Sequence, residues 1–159
     1  MKNNIIIFKK IKFYNLPFLK LYSKLKKGGY LVAPAASALT NIDNNKLYYN
    51  SLIKSDIAIF DSGFFCILLR IFKGIKVSKF SGYLFLKKFL NIKFKKNTKF
   101  LCIDPSIKES EVNKKYLNSK NIMNIKNYVA PTYSKNNIFD KKLIKLIKDF
   151  KPNYIIINL

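Results

Sequence analysis

The chain has 159 residues, 49% apolar and 25% charged, enough for one domain to bury a core without disulfide or metal staples. It carries 31 Lys+Arg against 8 Asp+Glu, a net charge of +23, and no histidine. The missing imidazole excludes His-based acid–base catalysis, Ser-His-Asp or Cys-His nucleophiles and His-ligated zinc. The two cysteines, Cys66 and Cys102, lie in apolar runs that suit buried free thiols in a reducing compartment.

In chain order, Ile5-Ile6-Ile7-Phe8 is a first strand-type run. A helix is expected next, with Asn15 as N-cap, Pro17 in its first turn, and a stripe of Phe18, Leu19, Tyr22 and Leu25. Gly28-Gly29 closes it, because glycine takes left-handed backbone without penalty. Tyr30-Leu31-Val32 is a short strand, followed by the loop Ala33-Pro34-Ala35 and a brief helix from Ala36 to Leu39. Asp43 or Asn44 is expected to cap a helix through Ser55 that turns Tyr48, Leu52 and Ile53 inward. Ile57-Ala58-Ile59-Phe60 reads as a buried strand ending at Asp61-Ser62-Gly63, with a helix from Phe64 to Phe72 closed by Gly74.

Ser81 can cap a helix striped by Phe85, Leu86, Phe89 and Leu90. Phe100-Leu101-Cys102-Ile103 is a further buried strand, ending at Asp104-Pro105-Ser106. Ser106 and Glu109 form a capping box for the helix through Leu117. A strand lies within Ile122 to Val129. Asp140 caps an amphipathic helix with Leu143, Ile144, Ile147 and Phe150 inward, and Tyr154 to Ile157 is the last strand. Strands alternating with helices predict an α/β fold: a three-layer, Rossmann-like domain over residues 1–159 with a mostly parallel sheet.

The longest uncharged run, Gly28 to Ile42, is broken by Pro34 and falls short of the ~18 apolar residues that a membrane span needs. The N-terminus has no signal-peptide pattern, so a cytoplasmic protein is expected, able to lie against a membrane. All the basic residues but Arg70 are lysines. This surface is either a solvated lysine coat or an attractor for an anionic partner: a membrane leaflet, a nucleotide-sugar or a nucleic acid. Specific nucleic-acid readers favour the planar fork of arginine, and the aromatics fall at core spacing instead of alternating with bases; both argue against specific nucleic-acid recognition.

Ligands of open α/β sheets bind beyond the carboxyl ends of the strands. Three such ends carry unusual loops here: Ala33-Pro34-Ala35, Asp61-Ser62-Gly63 and Asp104-Pro105-Ser106. Asp61 follows a buried strand, where low dielectric suits a general base; the alternative is that it caps the next helix. Asp104, beside Pro105 and ahead of a capping box, is also explained by a turn. Glycine-rich phosphate loops are absent. Lys79, just before Ser81-Gly82 at a helix start, could join backbone N–H groups in holding a phosphate, or be one more solvated lysine. No carboxylate or cysteine cluster suggests a metal, and no cofactor is expected.

Taken in order, these segments resemble the WecG/TagA/CpsF glycosyltransferases, which include N-acetylmannosaminyltransferases. The family's acidic turn after an A-D-L-V strand appears as residues 55–63, from Ser55 and Asp56 to Asp61-Ser62-Gly63. Its R-x-x-G element appears as Lys79-Phe80-Ser81-Gly82, and its late P-D strand as residues 151–159, Lys151-Pro152-Asn153 through Leu159. The T-P-N loop is replaced by Ala33-Pro34-Ala35, leaving Ser37, Thr40 or Asn41 as substitutes, and the family's G-G turn by Asp104-Pro105. The family's following glycine, P-x-Q-E loop and C-terminal appendage would lie past Leu159, so the resemblance implies a divergent, C-terminally shortened member with weak transfer activity of its own.

The resemblance implies transfer of a sugar from a nucleotide-sugar donor to a polyprenyl-diphosphate-linked acceptor in cell-surface polysaccharide synthesis, at the cytoplasmic face of the membrane. Asp61 would be the base. Pro34, Ala35, Ser62, Gly63, Lys79, Ser81, Gly82 and Asp104 would bind substrate. The alternative from the residues alone is a non-catalytic basic α/β protein that binds anionic membrane or nucleic acid.

Overall fold

The computed structural model of the chain describes residues 4–134 and 138–158. They form an α/β protein with mostly parallel sheets flanked by helices. The chain divides into two compact units, Met1–Phe89 and Leu90–Leu159, and the parallel pairing is shared between two sheets instead of running through one.

The first unit opens with a hairpin. Strand β1 (Ile5–Phe8) pairs antiparallel with β2 (Ile11–Tyr14), in register from Ile5 opposite Tyr14 to Phe8 opposite Ile11. Strand β2 is not among the elements expected from the sequence, and Asn15, expected as a helix cap, directly follows it. The connecting residues Lys9 and Lys10 both have positive φ, 45° and 60°. A two-residue hairpin turn demands that backbone, but it is usually written Asn-Gly. Period-two alternation then buries Ile11 and Phe13 while Lys12 points out.

Helix α1 (Phe18–Leu25) begins after Pro17, which occupies the N-cap with extended backbone. Asn15 instead accepts a hydrogen bond from the Ser78 N–H at 3.3 Å. Gly28 and Gly29 do turn the chain left-handed into β3 (Leu31–Val32). At Gly29 nothing larger fits: a Cβ there would meet the Asp56 carboxylate, which accepts from the Tyr30 N–H at 2.9 Å.

Helix α2 (Ala36–Thr40) and a 3-10 turn (Ile42–Asn44) precede α3 (Lys46–Ile53). The cap of α3 is Asn45, whose side chain accepts from the Tyr48 N–H at 3.0 Å, and not Asp43 or Asn44. Asp43 pairs with Lys9. Strand β4 (Ile57–Ala58) lies between β2 and β3, parallel to both, giving the order β1-β2-β4-β3. Helices α4 (Gly63–Lys73) and α5 (Gly82–Leu90) follow. Gly74 closes α4 in left-handed backbone, φ 62°. Phe13, Phe60 and Phe65 form the aromatic centre of the core, with Phe13 stacked on Phe60 at 5.0 Å between ring centroids.

In the second unit β5 (Phe100–Asp104) is central and buried at all five positions. It lies parallel to β6 (Ile125–Val129) on one side and β7 (Tyr154–Ile157) on the other. A strand covered on both faces reads as a continuous apolar run, which is why β5 was legible. Helix α6 (Ile107–Ser119) starts at Ser106, whose hydroxyl accepts from the Glu109 N–H and donates to the Glu109 carboxylate. Helix α7 (Lys141–Phe150) is capped by Asp140. Its inward residues are Leu143, Leu146, Ile147 and Phe150; Ile144, expected inward, is exposed, and Leu146 packs in its place. Leu159, the last residue of the family-like segment, lies outside the described residues.

Candidate functional site

The site is built where β4 leaves the sheet of the first unit. The ladder continues past the strand through the Ile59 N–H to the Val32 carbonyl at 3.0 Å, so Ile59 and Phe60 are held buried and Asp61 emerges at their end. Ser62 then caps α4, accepting from the Phe65 N–H at 3.2 Å. The helix-cap alternative for Asp61 therefore belongs to its neighbour.

Asp61 reaches elsewhere. Its Oδ1 accepts the Gly82 N–H, the first of α5, at 2.7 Å. One residue away, the Phe80 N–H donates to the Phe60 carbonyl at 2.9 Å. Ser81 caps α5, its hydroxyl accepting from the Leu84 N–H at 3.2 Å. The segment before α5 is thus sewn to the end of β4 by two hydrogen bonds across about twenty residues of sequence.

Two glycines let these loops close. A Cβ on Gly82 would lie 2.9 Å from the Ala33 side chain, too near for any real contact. A Cβ on Gly63 would lie 3.6 Å from the Lys79 stem, so Lys79 runs alongside the start of α4. Three of the loops singled out in the sequence, 33–35, 61–63 and 79–82, therefore meet. Pro34 is buried and Ala35 is the N-cap of α2. Of the possible T-P-N substitutes, Thr40 donates its hydroxyl to the Ser37 carbonyl at 2.7 Å, a contact internal to α2.

Asp61 Oδ2 has no hydrogen-bond partner among the described residues. The arrangement is a partly buried carboxylate with one oxygen fixed by a main-chain N–H and the other without a hydrogen-bond partner among the described residues. Beside it are two helix starts with unspent N–H groups and one lysine stem.

Asp104, in the second unit, has a different environment. It is fully buried at the end of β5. Its Oδ1 accepts from the amides of Asn113 at 2.8 Å and Asn158 at 2.9 Å, and its Oδ2 from the amide of Asn127 at 3.0 Å. Burial alone would raise this carboxyl, but the donors Asn127, Asn158, Asn113 and Ser110 outweigh it and hold the group below its ordinary value. Burial, helped by the Asp104 charge, pushes the nearby Cys102 thiol up to about 12. The asparagines were not singled out in the sequence: Asn127 stands beside Lys126 in β6, Asn158 follows β7 and Asn113 lies on α6, so no local pattern marks them.

The second unit also carries a tyrosine–aspartate cluster: Tyr128 and Tyr133 donate to Asp140 Oδ2 at 2.7 and 2.8 Å. The hydrogen bond to Asp140 pushes the Tyr128 phenol up to about 12. Asp140 is already the cap of α7, so this cluster anchors that helix. Among the described residues no group of three or more His, Cys, Asp or Glu could hold a metal ion, and no helix is long and apolar enough to cross a membrane.

Compared with known proteins, the chain matches no family model and no curated sequence.

Proposed function

We propose that the chain is a glycosyltransferase of the WecG/TagA/CpsF type, moving a sugar from a nucleotide-sugar donor to a polyprenyl-diphosphate-linked acceptor at the cytoplasmic membrane face. The observation that supports this reading is the 2.7 Å bond from Gly82 to Asp61. It joins the acidic turn to the Lys79-Phe80-Ser81-Gly82 element, two of the segments that carry the resemblance and which stand apart in the chain.

In the reaction the acceptor hydroxyl oxygen attacks the anomeric carbon. The bond from that carbon to the nucleoside diphosphate breaks, and the diphosphate leaves with the bonding electrons. Asp61 takes the hydroxyl proton through Oδ2, while Gly82 holds Oδ1 so that the carboxylate cannot rotate away. Lys79 and the N–H groups at the starts of α4 and α5 balance the charge that grows on the diphosphate.

The test is Asp61→Asn. The amide oxygen still accepts from Gly82, but the group cannot take a proton, so turnover of a nucleotide-sugar should fall about 10²–10⁴-fold with the melting temperature nearly unaltered. Lys79→Gln should cost less and act partly through KM. Unchanged turnover with lowered stability would leave Asp61 as an anchor for α5 and remove the reading.

The net charge of +23 favours a second reading, a basic α/β protein that binds anionic surfaces without catalysis. Salt titration separates the partners, because DNA binding that neutralises many phosphates weakens steeply with salt.

A further inference from the structure

Helix α4 is apolar on two sides. Phe65, Cys66 and Leu69 face the core. Phe64, Ile67, Ile71 and Phe72 form a second stripe at helical spacing that faces out, from 55% exposed at Ile67 to 79% at Phe72. A helix apolar all round normally lies inside a protein or a membrane. Beside the stripe runs a groove of about 270 Å³, walled by Phe8, Leu39, Phe64, Leu68 and Phe72 among others. Lys9 and Lys73 line it too, Lys73 extending over the Phe8 ring. Arg70 and Lys73 are the charged residues of α4, and neither the helix nor the groove lining has a carboxylate of its own; Lys9 is paired with Asp43.

We propose that the outer stripe of α4 and its groove dock the protein on an anionic lipid membrane. Large apolar side chains between cationic ones match the boundary between acyl chains and anionic headgroups. A second copy fits less well: pairing two such faces would bring Arg70 and Lys73 against their own counterparts on chains that each carry +23. Helix α4 starts directly after Asp61 and Ser62, so docking this face would hold the Asp61 loop near the lipid–water boundary. That purpose rests on the proposed function, whose acceptor is lipid-linked; the docking itself does not.

The chain has no tryptophan, so one introduced indole reports its own surroundings. F72W, with vesicles of phosphatidylcholine and phosphatidylglycerol, should shift its emission to the blue and be quenched by bromine on the acyl chains. I107W, at an exposed apolar position of α6, should do neither. The doubly substituted I67E/I71E chain should lose about tenfold or more of its vesicle partitioning while keeping its circular dichroism and melting temperature. The proposal is overturned if no form binds vesicles, if the chain binds but the F72W indole is not quenched, or if the blue shift grows with protein concentration without lipid, which marks self-association. Asp61→Asn should bind vesicles like the parent. Loss of turnover in that variant with no effect of I67E/I71E on binding would sink the docking surface alone; the reverse would sink the catalytic reading alone.

Discussion

Two aspartates stand at the ends of buried strands, one in each unit, and their surroundings differ. Asp104 at the end of β5 is fully buried, with three asparagine amides on its two oxygens. Asp61 beyond β4 is partly buried, gives one oxygen to a main-chain N–H and keeps the other free among the described residues. Position in the fold does not separate them; the count of donors does. A carboxylate whose lone pairs are filled by donors stays ionised and holds elements together; the open oxygen of Asp61 is the one that the proposed reaction uses.

The comparison breaks most sharply on Asp104→Ala. Three half-buried amides lose their acceptor at once, with only Asn127 keeping another, the Ser110 carbonyl, and an unmet polar group costs about 1–3 kcal/mol where it is shut off from water. A loss of about 3 kcal/mol or more in urea unfolding is expected, with β5 amides losing hydrogen-exchange protection first. A surface-like change of about 0.5 kcal/mol would mean that the asparagines find other partners.

Next in size is Gly29→Ala. Its φ is +101°, and the added Cβ would overlap the carboxylate of Asp56. Backbone strain of this kind costs about 1–3 kcal/mol, and the same change at Gly28, with equal φ sign but open space around it, should cost less. Equal losses at both positions would leave the Asp56 contact without weight.

A smaller effect is the pH dependence of the second unit. The folded-state Asp104 carboxyl lies below its usual value, so its contribution is fully present above the unfolded pKa of about 4 and is lost as the pH falls through the folded one. Asp140 is lowered too, chiefly by the Leu143 N–H, and adds in the same direction. Stability should therefore decline below about pH 4, and Asp104→Asn should flatten the decline when unfolding is followed across acid pH.

Most strands and helices were legible because their patterns are local. The run at β5, the capping box at Ser106 and the glycine stop at Gly74 each involve residues within a few positions. The hairpin of β1 and β2 was hidden because Lys9-Lys10 does the work of Asn-Gly. At α7 the expected stripe misplaced one position, since Leu146 and Ile144 are both apolar and only packing chooses between them. The site was half legible. Asp61, Gly63, Lys79 and Gly82 could be singled out, but not that Asp61 bonds a residue 21 positions on. The donors of Asp104 lie 9, 23 and 54 positions away on three different segments, beyond any local pattern.

The most direct measurement is the pair of amide replacements, Asp61→Asn and Asp104→Asn, each unfolded in urea under the same conditions. Both keep size and shape and differ only in what the neighbours demand. At Asp104 the new NH₂ faces amide donors, so a loss of about 2 kcal/mol or more is predicted. At Asp61 the retained oxygen still accepts from Gly82, so a change of about 0.5 kcal/mol or less is predicted. Equal losses, or a larger loss at Asp61, would contradict the division between an anchoring and an available carboxylate.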